Sequence, residues 1–335
     1  MMRRREFVIL IGSAAAAWPL AARAQRPATQ SRIAIFHPAI PITHLTETGG
    51  GSAWRAFFAE LRRLGYIEGE NLIIERYSAE GHHERYADLG REIVTRNPDV
   101  IVTGTNPVVT VVAAATRTIP IVAFMLDPLK AGLVTSLARP GGNLTGITLD
   151  AGVEIWEKRL QMLKEAMPSV AKAAFLGMRG GWEGSSAQVL REAGDRLGIS
   201  LVWTLPEKGT SAEIERAFDA MKQQRPDAVL VSGEGDLYAN RQLIAELAEK
   251  NRLPVMCPYR DYVEAGGLMA YAVDLAELLK RMADDVHQIL KGAKPGDLPI
   301  YQPIKFELLI NLKTVNALGL TLPPALLARA DGVIE

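Results

Sequence analysis

The polar side chains best suited to binding a small molecule follow short apolar runs of the sequence. Thr105 and Asn106 lie in the segment TGTNP, directly after the apolar run 100–102. Their hydroxyl and amide groups, together with the N–H groups at the start of a helix predicted from Val108, could bind a carboxylate. Alternatively, Thr105 or Asn106 caps that helix and Pro107 occupies its first position. One loop can do both, so both interpretations stay open.

Acidic side chains occupy two further loops of this kind. Asp127 and Asp236 each follow an apolar run, and Glu234 precedes Asp236 by two residues. A carboxylate in a cleft could accept a hydrogen bond from a ligand ammonium or hydroxyl group. The alternatives are local: an Asx turn of Asp127 with Pro128, and capping of a helix that starts near Leu237.

Aromatic and cationic side chains complete the set of candidates. Tyr259 and Trp182 could stack on a ligand or could simply cover the core. Arg260 could bind an anionic ligand through two parallel hydrogen bonds, or could form a salt bridge with Asp261 or Glu264. The candidate ligand-binding residues are Thr105, Asn106, Asp127, Asp236, Tyr259 and Arg260.

Sequence signatures of catalysis, cofactor binding and metal binding are missing. The chain has no Gly-x-Gly-x-x-Gly loop after a strand, no Walker loop and no Gly-x-Ser-x-Gly elbow. His82 and His83 are adjacent, so on a helix they would point in different directions and make poor joint metal ligands. Cys257 is the single cysteine and has no histidine near it in the sequence. We therefore expect no metal, no cofactor and no enzymatic activity.

Two hydrophobic periods alternate along the chain and predict its fold class. Short β-branched runs, typical of strands buried on both faces, alternate with segments of helical period that end at Gly or Pro. This order predicts an α/β fold of two doubly wound, Rossmann-like lobes joined by hinge strands. We assign residues 31–147 and 274–303 to lobe 1, and residues 148–273 and 304–335 to lobe 2.

The first 24 residues have the features of a secretory signal peptide. Arg3, Arg4 and Arg5 precede an apolar run, and Ala22-Arg23-Ala24 places small residues where a signal peptidase reads them. The Arg4-Arg5 pair also resembles a twin-arginine signal, so the export route stays open. No cysteine lies near the cleavage site to carry a lipid anchor. We expect a soluble periplasmic protein.

The charge of the mature chain argues against nucleic-acid binding. Removal of residues 1–24 takes away four Arg and one Glu, and the formal net charge falls from 0 to −3. A protein that binds nucleic acid non-specifically needs a basic surface. We therefore expect a small-molecule ligand and no nucleic-acid partner.

Several long segments resemble the tryptophan/tyrosine-type branch of the ABC transporter substrate-binding family. They include LRRLGYIEGENLIIERYSAEG, TIPIVAFMLDPLKAGLVTSLARPGGNLTGIT, YVEAGGLMAY and LPIYQPIKFELLINLKTVNALGLTLPPALLARADGVIE. The resemblance implies the type I periplasmic-binding-protein fold, in which three crossings join two lobes around a ligand cleft. Thr105, Asn106 and Asp127 would contact the ligand from lobe 1, and Asp236 and Tyr259 from lobe 2. The loops FHPAIPITHL and GMRGGWEGSS depart from the family pattern, which leaves open a ligand other than an aromatic amino acid.

The resemblance implies a function without chemical turnover. The protein would be the solute-binding component of an ABC importer, would bind an amino acid or another small carboxylate as a monomer, and would deliver it to a permease and its ATPase. The alternative is a periplasmic ligand sensor that feeds a membrane receptor, because the same closure of the lobes would serve either output.

We predict that signal peptidase cleaves after Ala24, because the Ala22-Arg23-Ala24 motif follows the apolar run directly. N-terminal sequencing of the protein recovered from the periplasm should begin at Gln25. Recovery of the chain from membranes with Met1 still present would contradict the prediction.

Overall fold

The computed structural model describes residues 30–149, 152, 154–179 and 185–335. The proposed signal peptide and the candidate residue Trp182 lie outside these ranges. Within them the chain forms two β-sheets with helices packed on their faces.

The first sheet has five parallel strands in the order β2-β1-β3-β4-β5. Its strands are β1 (Ser31–His37), β2 (Leu72–Ser78), β3 (Val100–Gly104), β4 (Ile121–Met125) and β5 (Leu144–Thr148). Its connecting helices are α1 (Ser52–Arg63), α2 (Tyr86–Arg96) and α3 (Asn106–Ala115). Every residue of β3 and β5 is buried, as expected for strands that have helices on both faces.

The second sheet repeats this order and extends it. Its strands run in the order β7-β6-β8-β9-β10-β11-β12. Among the described strands of this sheet, β10 and β11 form the one antiparallel pair, and β12 is parallel to β11. β11 and β12 therefore run opposite to the other five strands. The strands are β6 (Lys172–Leu176), β7 (Ser200–Thr204), β8 (Ala228–Val231), β9 (Val255–Cys257), β10 (Met269–Ala272), β11 (Glu307–Asn311) and β12 (Gly332–Ile334). The helices around it are α4 (Glu154–Ala166), α5 (Ser185–Leu197), α6 (Ser211–Gln224), α7 (Gly235–Ala239), α8 (Arg241–Lys250), α9 (Arg260–Glu264), α11 (Leu312–Leu318) and α12 (Pro324–Ala328).

Helix α10 (Leu275–Leu290) returns the chain from the second sheet to the first. Asp274 caps it by accepting hydrogen bonds from the N–H groups of Ala276 and Glu277, at 2.9 and 3.1 Å. Its apolar face packs on α1 and on strands β3 to β5. Tyr301 then pairs with β5, and the chain crosses back to form β11. Among the described elements the chain therefore crosses between the sheets three times.

These features confirm the predicted α/β fold with two doubly wound sheets. The exact lobe boundaries given above stay a prediction. Within the described ranges, no helix is both long enough and apolar enough to span a membrane.

Candidate functional site

A cavity of about 600 Å³ lies between the carboxyl ends of the parallel strands of both sheets. In each sheet the strand order reverses beside the first strand of its set: β1 lies between β2 and β3, and β6 lies between β7 and β8. Ligands of doubly wound folds bind at such reversal points, because successive connections leave on opposite faces and open a crevice. The cavity therefore lies where the topology of both sheets places a site, and its volume suits a small molecule.

Apolar and aromatic side chains form most of the cavity wall. The larger ones are Trp54, Tyr86, Phe124, Leu149, Met178, Tyr238, Tyr259, Leu275 and Leu279. Trp54 packs edge-on against His37, with ring centroids 6.0 Å apart. Such a lining favours a ligand with an apolar body, and the few polar groups must fix its orientation.

Thr105 lies at the cavity in a conformation that is costly for a residue with a side chain. Its φ is 66°, and its N–H donates to the carbonyl of Phe124 at 3.0 Å. It occupies the N-cap position of α3, yet its side chain makes no capping hydrogen bond. Backbone strain of this kind persists only where the surroundings enforce it, and it often marks a binding site. The cavity is also lined by Asn106 and Pro107, at the positive end of the helix.

The amide group of Asn106 holds a neighbouring loop. Its Nδ2 donates to the carbonyl of Leu126 at 2.6 Å, and its Oδ1 accepts from the Leu126 N–H at 3.0 Å. The side-chain amide thus both donates to and accepts from the backbone of Leu126. The amide already has partners within the protein, and Asn106 also lines the cavity, so its contact with a ligand carboxylate stays a prediction.

Asp127 follows the loop that Asn106 holds. Its Oδ1 accepts from the Lys130 N–H at 3.0 Å, and its backbone has a φ of 30°. The local turn considered from the sequence is thus present, and the half-buried side chain also lines the cavity.

Two carboxyl groups lie on the opposite wall, after β8. Asp236 is only 6% exposed; its Oδ2 accepts from His83 Nε2 at 2.8 Å, whereas its buried Oδ1 has no hydrogen-bond partner among the described residues. Burial raises the pKa of Glu234 to about 7, although Glu234 accepts hydrogen bonds from the Ser232 hydroxyl and the Met178 N–H. Neither carboxyl group caps α7, so the helix-capping alternative is not what the structure shows.

Tyr259 lines the same wall, and Arg260 does not. The Tyr259 hydroxyl donates to the Gly233 carbonyl at 3.3 Å, and burial raises its pKa to about 12. The guanidinium of Arg260 instead pairs with Glu307 on β11, at 3.2 Å from Nε and 2.5 Å from Nη2. The prediction that Arg260 binds the ligand is therefore corrected. Its helix packs against β11, and there Glu307 supplies the carboxylate that satisfies the guanidinium.

His37 and His83 are cavity residues that the sequence analysis did not select. His37 ends β1 and is 2% exposed; its Nδ1 accepts from the N–H groups of Ala39 at 3.0 Å and Ile40 at 2.8 Å. Burial lowers its pKa to about 3, so the ring is neutral. The reversal of strand order beside β1 would have pointed to His37. No local signal marks His83, whose partner is distant in sequence.

Metal binding finds no support in the part of the chain that the structure describes. No group of three or more His, Cys, Asp or Glu side chains there could hold a metal ion. Cys257 is buried, and burial raises the pKa of its thiol.

We predict that His37 makes the stability of the protein depend on pH. The unfolded chain binds a proton at this residue below about pH 6.5, whereas the folded chain does so only near a pKa of about 3. The stabilising contribution of the neutral ring is thus complete above pH 6.5 and is lost as the pH falls toward 3. Between pH 7 and pH 5 it should cost about 2 kcal/mol of unfolding free energy.

The measurement is urea unfolding of the wild type and of His37→Asn at both pH values. The substitution removes the titrating ring and keeps all other titrating groups. The difference in unfolding free energy between the two proteins therefore reports the contribution of His37 alone. Equal pH dependence in the two proteins would show that His37 is not held neutral.

Comparisons with known proteins agree with the overall fold. A conserved domain protein from Vibrio cholerae has a similar structure, with a TM-score of 0.77, 27% identity, and coverage of 91% of this chain and 99% of that one. The ABC domain in complex with L-Trp from Streptococcus pneumonia has a TM-score of 0.77 at 23% identity, covering 91% and 100% of the two chains. A tyrosine-binding protein from Clostridioides difficile (strain R20291) is 24% identical over 271 residues, or 80% of this chain and 76% of that protein.

A family model agrees with the resemblance noted in the sequence. The model for ABC transporter substrate binding protein matches residues 49–334, from just before α1 to the end of β12. The chain therefore belongs to the ABC transporter substrate-binding protein family.

Proposed function

We propose that this protein is the periplasmic solute-binding component of an ABC importer and that it binds an amino acid in the cavity between its lobes. The observation that carries the proposal is the distribution of polar groups around the cavity. Hydrogen-bond donors and the half-buried Asp127 line the wall from the first sheet, the carboxyl groups of Glu234 and the buried Asp236 line the wall from the second, and aromatic side chains come from both walls.

The donor wall suits the carboxylate of an amino acid. Helix α3 starts at Asn106, so its partial positive charge lies at the cavity beside Thr105. Because the Asn106 side chain is occupied by Leu126, the proposal assigns carboxylate binding to Thr105 and the helix end.

The acidic wall suits the ammonium group. Asp236 carries a buried oxygen without a partner among the described residues, and Glu234 lies beside it. A buried carboxylate oxygen is stabilised by a charge-assisted hydrogen bond, which an ammonium group would supply. The relatives named for L-Trp and tyrosine favour an apolar amino acid, which also suits the aromatic lining.

Contacts across the cavity support the proposal that the lobes open and close. Ser52 Oγ, at the start of α1, donates to Asp261 Oδ1 of the second-sheet side at 2.5 Å. His83 pairs with Asp236 across the same gap. A Cβ atom at Gly235 would lie 3.1 Å from Pro38 Cγ and 3.3 Å from Thr105 Cγ2. The lobes are thus in contact, and entry of a ligand requires them to separate at the three crossings.

Membership of the family supports delivery of the solute to a transporter, and the sequence features of residues 1–24 support export. Residues 1–24 direct export, the mature protein acts as a monomer, and its closed form delivers the solute to a membrane permease and its ATPase. Binding is reversible, and no bond in the solute is made or broken.

We expect an amino acid to stabilise the protein in a thermal-shift screen of the twenty standard amino acids, with L-tyrosine and L-tryptophan among those that bind. Ligand at a hundredfold excess over its Kd should add about 2.7 kcal/mol to the unfolding free energy. Asp236→Asn should then weaken binding by roughly 2–5 kcal/mol, because the ammonium group loses its charged partner.

The matched control is Asp219→Asn, an exposed carboxylate on α6 that does not line the cavity. Calorimetry gives the Kd and thermal unfolding gives the Tm for each variant. An unchanged Kd in Asp236→Asn, or no stabilisation by any amino acid, would reject the proposed ligand.

We expect Ser52→Ala to shift the protein toward the open form, because the Ser52–Asp261 hydrogen bond exists only when the lobes are in contact. The radius of gyration from small-angle scattering should increase without ligand, and the Kd should rise about tenfold. Ser211→Ala is the control. Ser211 also donates a hydrogen bond, to Asn240 Oδ1 at 3.2 Å, but both residues belong to the second-sheet side of the molecule. Equal scattering and affinity in the two variants would argue against this latch.

A further inference from the structure

His37 is held in one tautomer by its own loop. The N–H groups of Ala39 and Ile40 both donate to Nδ1, so this nitrogen must carry a lone pair and no proton. The proton of the neutral ring therefore lies on Nε2. The arrangement matches an Asx turn, in which a side-chain oxygen accepts from the backbone two and three residues further on.

The second ring nitrogen is available to a ligand. His37 lines the cavity between Trp54 and Phe124, with ring centroids 6.0 and 6.3 Å away. Nε2 has no hydrogen-bond partner among the described residues. Because His37 lines the cavity and this donor has no partner among the described residues, the site favours a ligand that presents an acceptor there.

We propose that His37 is a specificity-determining residue that donates its Nε2 proton to the carboxylate of the bound amino acid. The inference rests on the proposed function. It assigns the carboxylate to the reversal point of the first sheet, because β1, which ends at His37, is paired directly with β3, which leads to Thr105. Three neutral donors then converge on one group: the ring N–H, the Thr105 hydroxyl and the first turn of α3.

The fixed tautomer also sets the orientation of the ligand. Nε2–H can donate a hydrogen bond and cannot accept one. An ammonium group is also only a donor, so the two groups could not form a hydrogen bond. The acidic wall formed by Glu234 and Asp236 accepts that group instead. A ligand with its two ends reversed would place its ammonium group against the Nε2–H donor and its carboxylate against Glu234 and Asp236, which is how a polar site rejects the wrong arrangement.

His37→Asn separates the two functions of the ring. Asparagine Oδ1 can accept from the same backbone N–H groups and keep the turn, whereas the distal donor is lost. We expect the tightest-binding amino acid of the screen to bind His37→Asn about 10- to 100-fold more weakly, with the Tm near neutral pH changed much less. His37→Gln, whose amide N–H reaches further into the cavity, should recover part of the affinity.

The decarboxylated amine of the same amino acid tests which group His37 contacts: tyramine for L-tyrosine, or tryptamine for L-tryptophan. Because it lacks the carboxylate, its Kd should be the same for the wild type and His37→Asn. Long-range ¹H–¹⁵N spectra of histidine-labelled protein should show the Nε2–H tautomer and a shift of that resonance on binding.

Three results would overturn the inference alone: unchanged amino-acid affinity in His37→Asn, an equal loss for the amine, or an Nδ1–H tautomer. Failure of every amino acid to bind the wild type would reject the proposed function and the inference with it. The two failures are therefore distinguishable.

Discussion

The reversal of strand order in each sheet is the constraint on which the cavity depends. Connections on the two sides of β1 and of β6 leave on opposite faces, so a crevice opens at the carboxyl end of each of these strands. The three crossings bring the two crevices together. Side chains such as His37, Thr105 and Asp236 reach the cavity because they lie at or after the ends of strands at these points. Their ability to contact a ligand therefore depends on the strand order.

Internal hydrogen bonds already occupy several polar atoms of the cavity wall. Asn106 is occupied by Leu126, Tyr259 by Gly233, and one face of His37 by its own loop. Buried polar groups need such partners, and a site in which the protein supplies most of them is rigid before the ligand arrives. Asp236 Oδ1 is buried without a partner among the described residues, and Asp236 and His37 line the cavity from different sheets.

The sequence predicted the fold class and the loops that line the cavity, because both depend on hydrophobic period and on the position of polar residues after strands. It did not predict which side chains are free within those loops. The partner of Arg260 is Glu307, which belongs to a strand far along the chain, and local spacing favoured other partners. His83 reaches Asp236 only after two separate sheets have formed. Pairings of this kind depend on tertiary structure and have no local signal.

Helix α10 has a consequence for the order of folding. It covers the first sheet, and Tyr301 extends the same sheet beside β5, yet both are synthesised after ten of the twelve strands in the described chain. The second sheet is complete only when β11 and β12, the last two described strands, have been synthesised. Each sheet thus combines segments that are far apart in sequence, and contacts of this kind form slowly. Folding of each sheet therefore depends on segments from both halves of the described sequence.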